Sequence, residues 1–273
     1  YKRLMFPISN TQGKVIAFGG RVLDNSLPKY INSPDSEYFK KRSLLYNLHN
    51  AKNTIRLKKN ILICEGYLDV ISLYQNNIKT SVAPLGTSFT EEQLFLCWKY
   101  SNKPTIMFDG DSSGIRASYK AAMMSLPLLK PDKLIQFVTL PRNYDPDSFV
   151  KKFSQKDLSN LLKEPTSITK YIFNISSSSI DLQNADNKIS YDKFIDNLID
   201  QIKDSKIKYF YKNEFKSLFF QKIKSYSKKD KNLKSFTKIT SLQIKQKLSF
   251  YAAALNHKRI RLEILSLLEN SYI

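Results

Sequence analysis

Four short apolar runs, separated by helical patterns, constrain the fold of this chain more than any other feature. The predicted strands between residues 59 and 148 are Asn60–Cys64, Thr80–Ala83, Thr105–Phe108 and Leu134–Val138. The helical patterns between them cover Leu68–Asn76, Thr90–Tyr100 and Gly114–Ser125. Strands that are apolar throughout and alternate with helices are typical of a parallel sheet with helices on both faces. We therefore predict an α/β fold.

Different patterns flank this region. Residues 4–8 and 14–18 are apolar runs joined by Asn10–Gly13, which predicts a β-hairpin. After Ser148 the spacing is helical, with no clear strand, and the predicted helices cover 154–163, 190–202, 206–225 and 241–270. We expect a partial α+β subdomain over 1–57, the parallel sheet over 58–148, a helical region over 149–255 and the start of another domain over 256–273.

Acidic residues follow three of the predicted strands. Glu65 and Asp69 follow the first, and the pairs Asp109/Asp111 and Asp145/Asp147 follow the third and fourth. Because ligands of such sheets bind beyond the carboxyl ends of the strands, these carboxylates are expected at the binding edge. Carboxylate oxygens are ligands of Mg²⁺, which binds substrate phosphates with its remaining positions. The pattern predicts phosphoryl transfer, nucleotidyl transfer or phosphodiester cleavage.

An alternative is that these acids cap the helices that follow them, because a helix N-terminus attracts negative charge. For Asp109 and Asp111 the metal interpretation is favoured, because the acidic blocks recur in one α/β unit. For Asp69, in the first turn of its predicted helix, the two interpretations are evenly balanced.

The charge of the chain indicates a polyanionic partner. It has 44 Lys and Arg against 24 Asp and Glu, a formal net charge of +20. Nucleic acid fits this charge better than an acidic membrane surface. A compositional bias of the source genome is an alternative contribution. Residues 201–247 contain 14 Lys and 3 acids, which indicates either a solvated helix surface or a nucleic-acid contact face.

The two cysteines exclude some classes of protein. Cys64 and Cys97 each lie in an apolar run without a CxxC partner or a nearby His, so a zinc site or a disulfide framework within this chain is not expected. A reduced cytoplasmic protein is the default expectation. No run approaches the ~18 apolar residues of a membrane span, so no membrane partner is expected.

The motifs EGYLD, FDGDSSG and DPD together resemble the TOPRIM domain of bacterial primases, topoisomerases and some nucleases. Outside that shared core, MFPI, FGGRVL, PKYINSP and APLGTS resemble the DnaG-type bacterial primases, in the same order across roughly residues 1–150. The resemblance implies a DNA-directed RNA polymerase that makes short RNA primers from ribonucleoside triphosphates on single-stranded DNA.

The resemblance also assigns roles to residues. It implies that Glu65, Asp109 and Asp111 are catalytic and bind two Mg²⁺ (or Mn²⁺) ions, and that Asp145 and Asp147 complete the metal site. It implies that basic and polar residues facing the site bind nucleotides or template: Arg21, Lys29, Asn32 and Lys41. For Lys41, one of three consecutive basic residues, a solvated surface charge is the alternative.

The same resemblance implies segments beyond this chain, which we expect to be an internal fragment. The family's Zn²⁺-binding domain would precede it. Arg259–Asn270 resembles the opening helix of a domain that binds the DnaB-type replicative helicase, so the protein is expected at the replisome. The rival functions are a TOPRIM nuclease or topoisomerase, and a TOPRIM module that binds nucleic acid without catalysis.

Overall fold

The computed structural model describes residues 2–24, 26–86 and 88–225. Its first part is a small antiparallel sheet in the order β1-β2-β3, formed by β1 (Arg3–Ser9), β2 (Val15–Val22) and β3 (Tyr30–Asn32). The amide of Gly13 donates to the carbonyl of Asn10 at 3.0 Å, which closes the turn between β1 and β2. The predicted hairpin is confirmed.

The larger sheet has five strands in the order β5-β4-β6-β7-β8. They are β4 (Leu62–Ile63), β5 (Ser81–Val82), β6 (Thr105–Ile106), β7 (Gln136–Phe137) and β8 (Thr166–Ser167). The four predicted strands are present and pair in parallel, which confirms the predicted α/β sheet. The prediction of no strand after Ser148 is wrong, because β8 pairs antiparallel with β7 at the edge. β8 is a two-residue polar strand, too short to show a hydrophobic period.

Helices flank the larger sheet and continue after it. Their bounds are α1 (Leu48–Lys58), α2 (Tyr67–Gln75), α3 (Glu91–Trp98), α4 (Ser112–Ser125), α5 (Pro146–Lys152), α6 (Gln155–Lys163), α7 (Ile168–Ser176) and α8 (Ala185–Asp200). Residues 205–219 are also helical. The predicted helices at 241–270 and the predicted helicase-binding segment from 256 lie outside the described residues. Within the described ranges, no helix has the length and apolar composition needed to cross a membrane.

The strands of the larger sheet form the centre of the core. Leu62, Ile63 and Ile106 are at most 1% exposed, as is Cys64 immediately beyond β4. Burial on both faces explains why the strands read as unbroken apolar runs. Polar groups can reach solvent only where a strand ends. The fold therefore places the acidic residues at the carboxyl edge of this sheet.

Candidate active site

A cleft of about 650 Å³ lies between the small sheet and the carboxyl edge of the larger sheet. Five carboxylates and three cationic side chains are among its lining residues: Glu65, Asp69, Asp109, Asp145, Asp147, Arg21, Lys29 and Lys120. The first five form what we call the acidic wall. Arg21 lies in β2 and Lys29 immediately precedes β3, and these two residues form what we call the basic wall.

The carboxylates of the acidic wall interact strongly with one another. Burial, together with the charges of Asp69, Glu65 and Asp145, raises the pKa of Asp109 to about 7. Burial, with the charges of Asp145, Glu65 and Asp147, likewise raises the pKa of Asp69 to about 7. The fold gathers negative charge that a bound cation would stabilise.

The side chain of Asp109 gives a second indication that the acidic wall can bind a cation. Its Oδ1 atom is buried and forms no hydrogen bond within the described part of the chain. A buried carboxylate oxygen without a partner is costly. Among the described residues, no three His, Cys, Asp or Glu side chains form a ready-made metal site. The free Oδ1 atom of Asp109 and the neighbouring carboxylates suit a divalent cation that takes its other ligands from water or substrate phosphates.

Several of these acids also cap helices, as the alternative interpretation proposed. Asp111 is the N-cap of α4, where its Oδ1 accepts from the amide of Gly114 at 2.7 Å, and it is exposed rather than part of the cleft lining. Asp145 caps α5 by accepting from the amide of Ser148 at 2.6 Å. Asp69 Oδ2 accepts from the amide of Gly66 at 3.0 Å. A carboxylate has two oxygens, so a cap made by one oxygen leaves the other for a cation.

Within the described part of the chain, Asp147 is the one acid of the wall that forms an ion pair. Lys151 Nζ lies 2.6 Å from its Oδ2. Burial alone would raise the pKa of Asp147, but hydrogen bonds from Lys151 and Ser72 and the charge of Arg21 hold it below its usual value. As pH rises, Asp147 therefore loses its proton before Asp69 and Asp109 do.

The glycine of the DGD motif brings the acidic segments together. A Cβ atom on Gly110 would lie 2.1 Å from the carbonyl oxygen of Pro141. The amide of Gly110 donates to the carbonyl of Tyr144 at 2.8 Å. Only glycine allows the segment after β6 to approach the segment after β7 this closely. That approach places Asp109 within electrostatic range of Asp145.

Two of the predicted binding residues form the basic wall, and Lys41 does not. The guanidinium carbon of Arg21 lies 5.5 Å from the ring centroid of Tyr30, which holds the side chain beside the cleft. The expectation that Lys41 faces the site is not met, since it is not a cleft-lining residue. Its described contacts are made by its backbone: its amide donates to Asp35 Oδ1, and its carbonyl accepts from Gln93 Nε2.

Asn32 lines the cleft, but both ends of its amide are already in use. Its Oδ1 accepts from the Tyr67 hydroxyl at 2.5 Å, and its Nδ2 donates to the carbonyl of Leu85 at 2.9 Å. These two contacts indicate a structural role, which the sequence did not predict.

Sequence reasoning missed the contribution of α4. Ser113, Ala117 and Lys120 line the cleft along one face of this helix. Ala117 lies four residues after Ser113, and Lys120 lies three residues after Ala117. This spacing was a usable signal, because it repeats one helix face.

Two family models match the chain in separate segments. Residues 1–52 match the N-terminal domain of the DNA primase catalytic core, and residues 62–150 match a Toprim-like domain. The solved E. coli primase catalytic core is 32% identical, with a TM-score of 0.73, and the match covers 80% of this chain and 70% of that chain. The chain belongs to the DnaG-type DNA primase family.

Other members show the same likeness. The DNA primase of Rickettsia conorii is 36% identical over 227 residues, which cover 83% of this chain. The solved DnaG primase catalytic domain bound to ssDNA is 32% identical, with a TM-score of 0.73, over 80% of this chain and 69% of that chain. The match spans only 38% of the length of the Rickettsia relative.

Proposed function

We propose that this chain carries the catalytic core of a DNA primase, a DNA-directed RNA polymerase that joins ribonucleoside triphosphates into short primers by nucleotidyl transfer. The observation that carries the proposal is the acidic wall, with the unpartnered Asp109 Oδ1, facing the basic wall across one cleft. Nucleotidyl transfer needs both signs of charge, because metal-bound phosphates must also be neutralised and oriented.

Glu65, Asp109 and Asp111, completed by Asp145 and Asp147, would hold two Mg²⁺ or Mn²⁺ ions. When bound, such ions lower the pKa of an attacking 3′-hydroxyl and neutralise the transferring phosphate. Burial and the charge of Asp111 raise the pKa of Glu65. A carboxylate with a raised pKa is a better proton acceptor, so Glu65 is suited to take a proton at this edge of the sheet.

The basic wall would hold the polyanionic substrates. Arg21 and Lys29 face the same cleft as the acids and can contact triphosphates or the template backbone. A related DnaG catalytic domain has been solved with ssDNA, which supports single-stranded DNA as the template. The matching N-terminal primase segment over 1–52 favours a primase over a TOPRIM nuclease or topoisomerase.

The Zn²⁺ ion and the replicative helicase would bind to domains other than this catalytic core. We propose that a Zn²⁺-binding domain and a domain for the DnaB-type helicase flank this core in the longer protein, which works in the cytoplasm at the replisome. The relatives are long enough for such domains, since the match covers 38% of the Rickettsia primase.

Primer synthesis by the longer parent protein tests the proposal. Asp109→Asn removes a charge from the acidic wall with little change in shape, so Mg²⁺-dependent synthesis should fall below detection. Asp132→Asn, an exposed acid outside the cleft, is the matched control and should retain full synthesis. Wild-type synthesis in the Asp109 variant would contradict the assignment. Mg²⁺-dependent DNA cleavage without nucleotide incorporation would favour the nuclease alternative.

A further inference from the structure

Asn32 connects three segments that are far apart in the sequence. Its hydrogen bonds to the Tyr67 hydroxyl and the Leu85 carbonyl join the end of β3, the start of α2 and the segment after β5. We call these two hydrogen bonds the Asn32 bridge. Tyr67 lies two residues after Glu65, and Asn32 lies three residues after Lys29. The bridge therefore joins the basic wall to the acidic wall.

Two glycines provide the space for this bridge. Gly19 pairs with Asn32 in the small sheet, and a Cβ there would lie 2.7 Å from the Tyr67 ring and 2.9 Å from Asn32 Oδ1. A Cβ on Gly86 would lie 2.5 Å from Asn32 Nδ2, and its φ of +76° also favours glycine. Gly19 of FGGR and Gly86 of PLG therefore serve the same purpose, because both leave room for the Asn32 bridge.

The packing around Tyr67 leaves its hydroxyl few hydrogen-bond partners other than Asn32. It is 4% exposed, and its ring centroid lies 4.6 Å from that of Tyr46 and 5.4 Å from that of Phe6. A buried hydroxyl must find a hydrogen-bond partner, so this packing fixes where Asn32 can sit. Movement of the small sheet relative to α2 would break the bond.

We infer that the Asn32 bridge is a positioning device that sets the separation of the two walls, so that one metal–nucleotide complex can contact both. The inference rests on the proposed function. Asn32 acts through the placement of Arg21, Lys29 and Glu65 rather than as a ligand, because both ends of its amide are engaged. Each wall should keep its own binding properties when the bridge is cut.

Tyr67→Phe cuts the bridge by removing one hydroxyl group. Tyr46→Phe is the matched control, because its ring packs on Tyr67 and its hydroxyl has no hydrogen bond within the described residues. We expect Tyr67→Phe to weaken binding of a Mn²⁺–nucleoside triphosphate complex about tenfold, the equivalent of one buried hydrogen bond. Binding of Mn²⁺ alone and of single-stranded DNA alone should stay within about twofold of wild type.

A distance measurement tests the inference without relying on activity. Spin labels on Lys14→Cys and Arg116→Cys report on the small sheet and α4, and the native Cys64 and Cys97 are buried. The distance distribution should broaden in Tyr67→Phe and remain narrow in Tyr46→Phe. An unchanged distribution in Tyr67→Phe overturns the inference, even if the wild-type chain makes primers.

Asn32→Ala separates positioning from direct binding. If Asn32→Ala weakens Mn²⁺–nucleotide binding and Tyr67→Phe leaves it at the wild-type value, Asn32 is a ligand and the inference is wrong. If both weaken it, and adding Tyr67→Phe to Asn32→Ala weakens it no further, the bridge is supported, because Asn32→Ala already removes the hydrogen bond that Tyr67→Phe removes. A wild-type chain that keeps a narrow distance distribution but binds no Mn²⁺–nucleotide would instead contradict the proposed function.

Discussion

Strands β1 and β2 of the small sheet are 7 and 8 residues long, whereas each strand of the larger sheet has only 2 residues. The long strands present Arg21 to the cleft from a sheet face. The short strands β4 and β6 are buried on both faces, so their part of the cleft is built by residues beyond their ends, such as Glu65 and Asp109. The basic wall therefore depends on strand pairing and the acidic wall on the loops that follow strands.

This difference has a consequence for stability. A strand that pairs along its length holds its side chains through many backbone hydrogen bonds. The loops of the acidic wall depend on a few close contacts, of which Gly110 against Pro141 is the tightest. Changes to the loops should cost more stability than charge-removing changes on the strands.

The largest effect is expected for Gly110→Ala. The added methyl group would lie 2.1 Å from the Pro141 carbonyl oxygen, so the free energy of unfolding should fall by about 3 kcal/mol. Urea denaturation measures this. Gly66→Ala is the control, because a Cβ atom there would meet only the side-chain atom Asp69 Oδ2, at 3.3 Å. Equal losses of unfolding free energy in the two variants would mean that the close approach of Gly110 to Pro141 is not what makes Gly110 necessary.

A smaller effect is expected on the basic wall. Arg21→Gln and Lys29→Gln should each weaken single-stranded DNA binding about tenfold and reduce the slope of log affinity against log salt by about one. Fluorescence anisotropy of a labelled oligonucleotide at several salt concentrations measures both quantities. Lys14→Gln, at an exposed position in the turn before β2, should change neither. Binding that does not depend on salt would contradict a phosphate contact.

The acidic wall should make stability depend on pH in the absence of metal. The folded-state pKa values of Asp69 and Asp109 are raised from 3.8 to about 7, so the folded protein holds more protons than the unfolded protein between these values. Stability in EDTA should therefore fall as pH rises from about 4 to about 7. Asp109→Asn should make this fall shallower. A metal-free stability that rises over this range would contradict the raised pKa values of Asp69 and Asp109.

The smallest stability effect is expected at Asp111. Asparagine caps a helix nearly as well as aspartate, so Asp111→Asn should change the free energy of unfolding by less than about 0.5 kcal/mol, whereas Asp111→Ala should lose about 1 kcal/mol. Thermal or urea unfolding separates the two. If Asp111 is also a metal ligand, both variants should lose Mg²⁺-dependent synthesis. Full synthesis in Asp111→Asn would mean that Asp111 only caps α4 and does not bind metal.

The elements that the sequence predicted well share one property. The sequence predicted Glu65, Asp109 and Asp145 at one edge of the sheet because the strands before them are apolar on both faces. Charged side chains can then lie only beyond the ends of those strands. The sequence also indicated that Asp69 and Asp111 could cap helices, because each lies at the start of a helical pattern.

The elements that it did not predict depend on contacts between distant residues. The structural role of Asn32 requires Tyr67, Leu85 and Gly86, which no local pattern connects to it. β8 is two polar residues that form a strand only because β7 offers an unpaired edge. The resemblance implied that Lys41 binds nucleotides or template, yet its described contacts are those of its backbone with Asp35 and Gln93.

Mn²⁺ binding, followed by electron paramagnetic resonance, tests most directly the central claim that the acidic wall is a divalent-metal site. The wild-type chain should bind Mn²⁺ more tightly at about pH 8 than at about pH 6, because metal ions compete with the protons that the acids share. Asp109→Asn should bind at least about tenfold more weakly, and Asp132→Asn should match the wild type. Equal affinity in the wild type and Asp109→Asn, at both pH values, would contradict the claim.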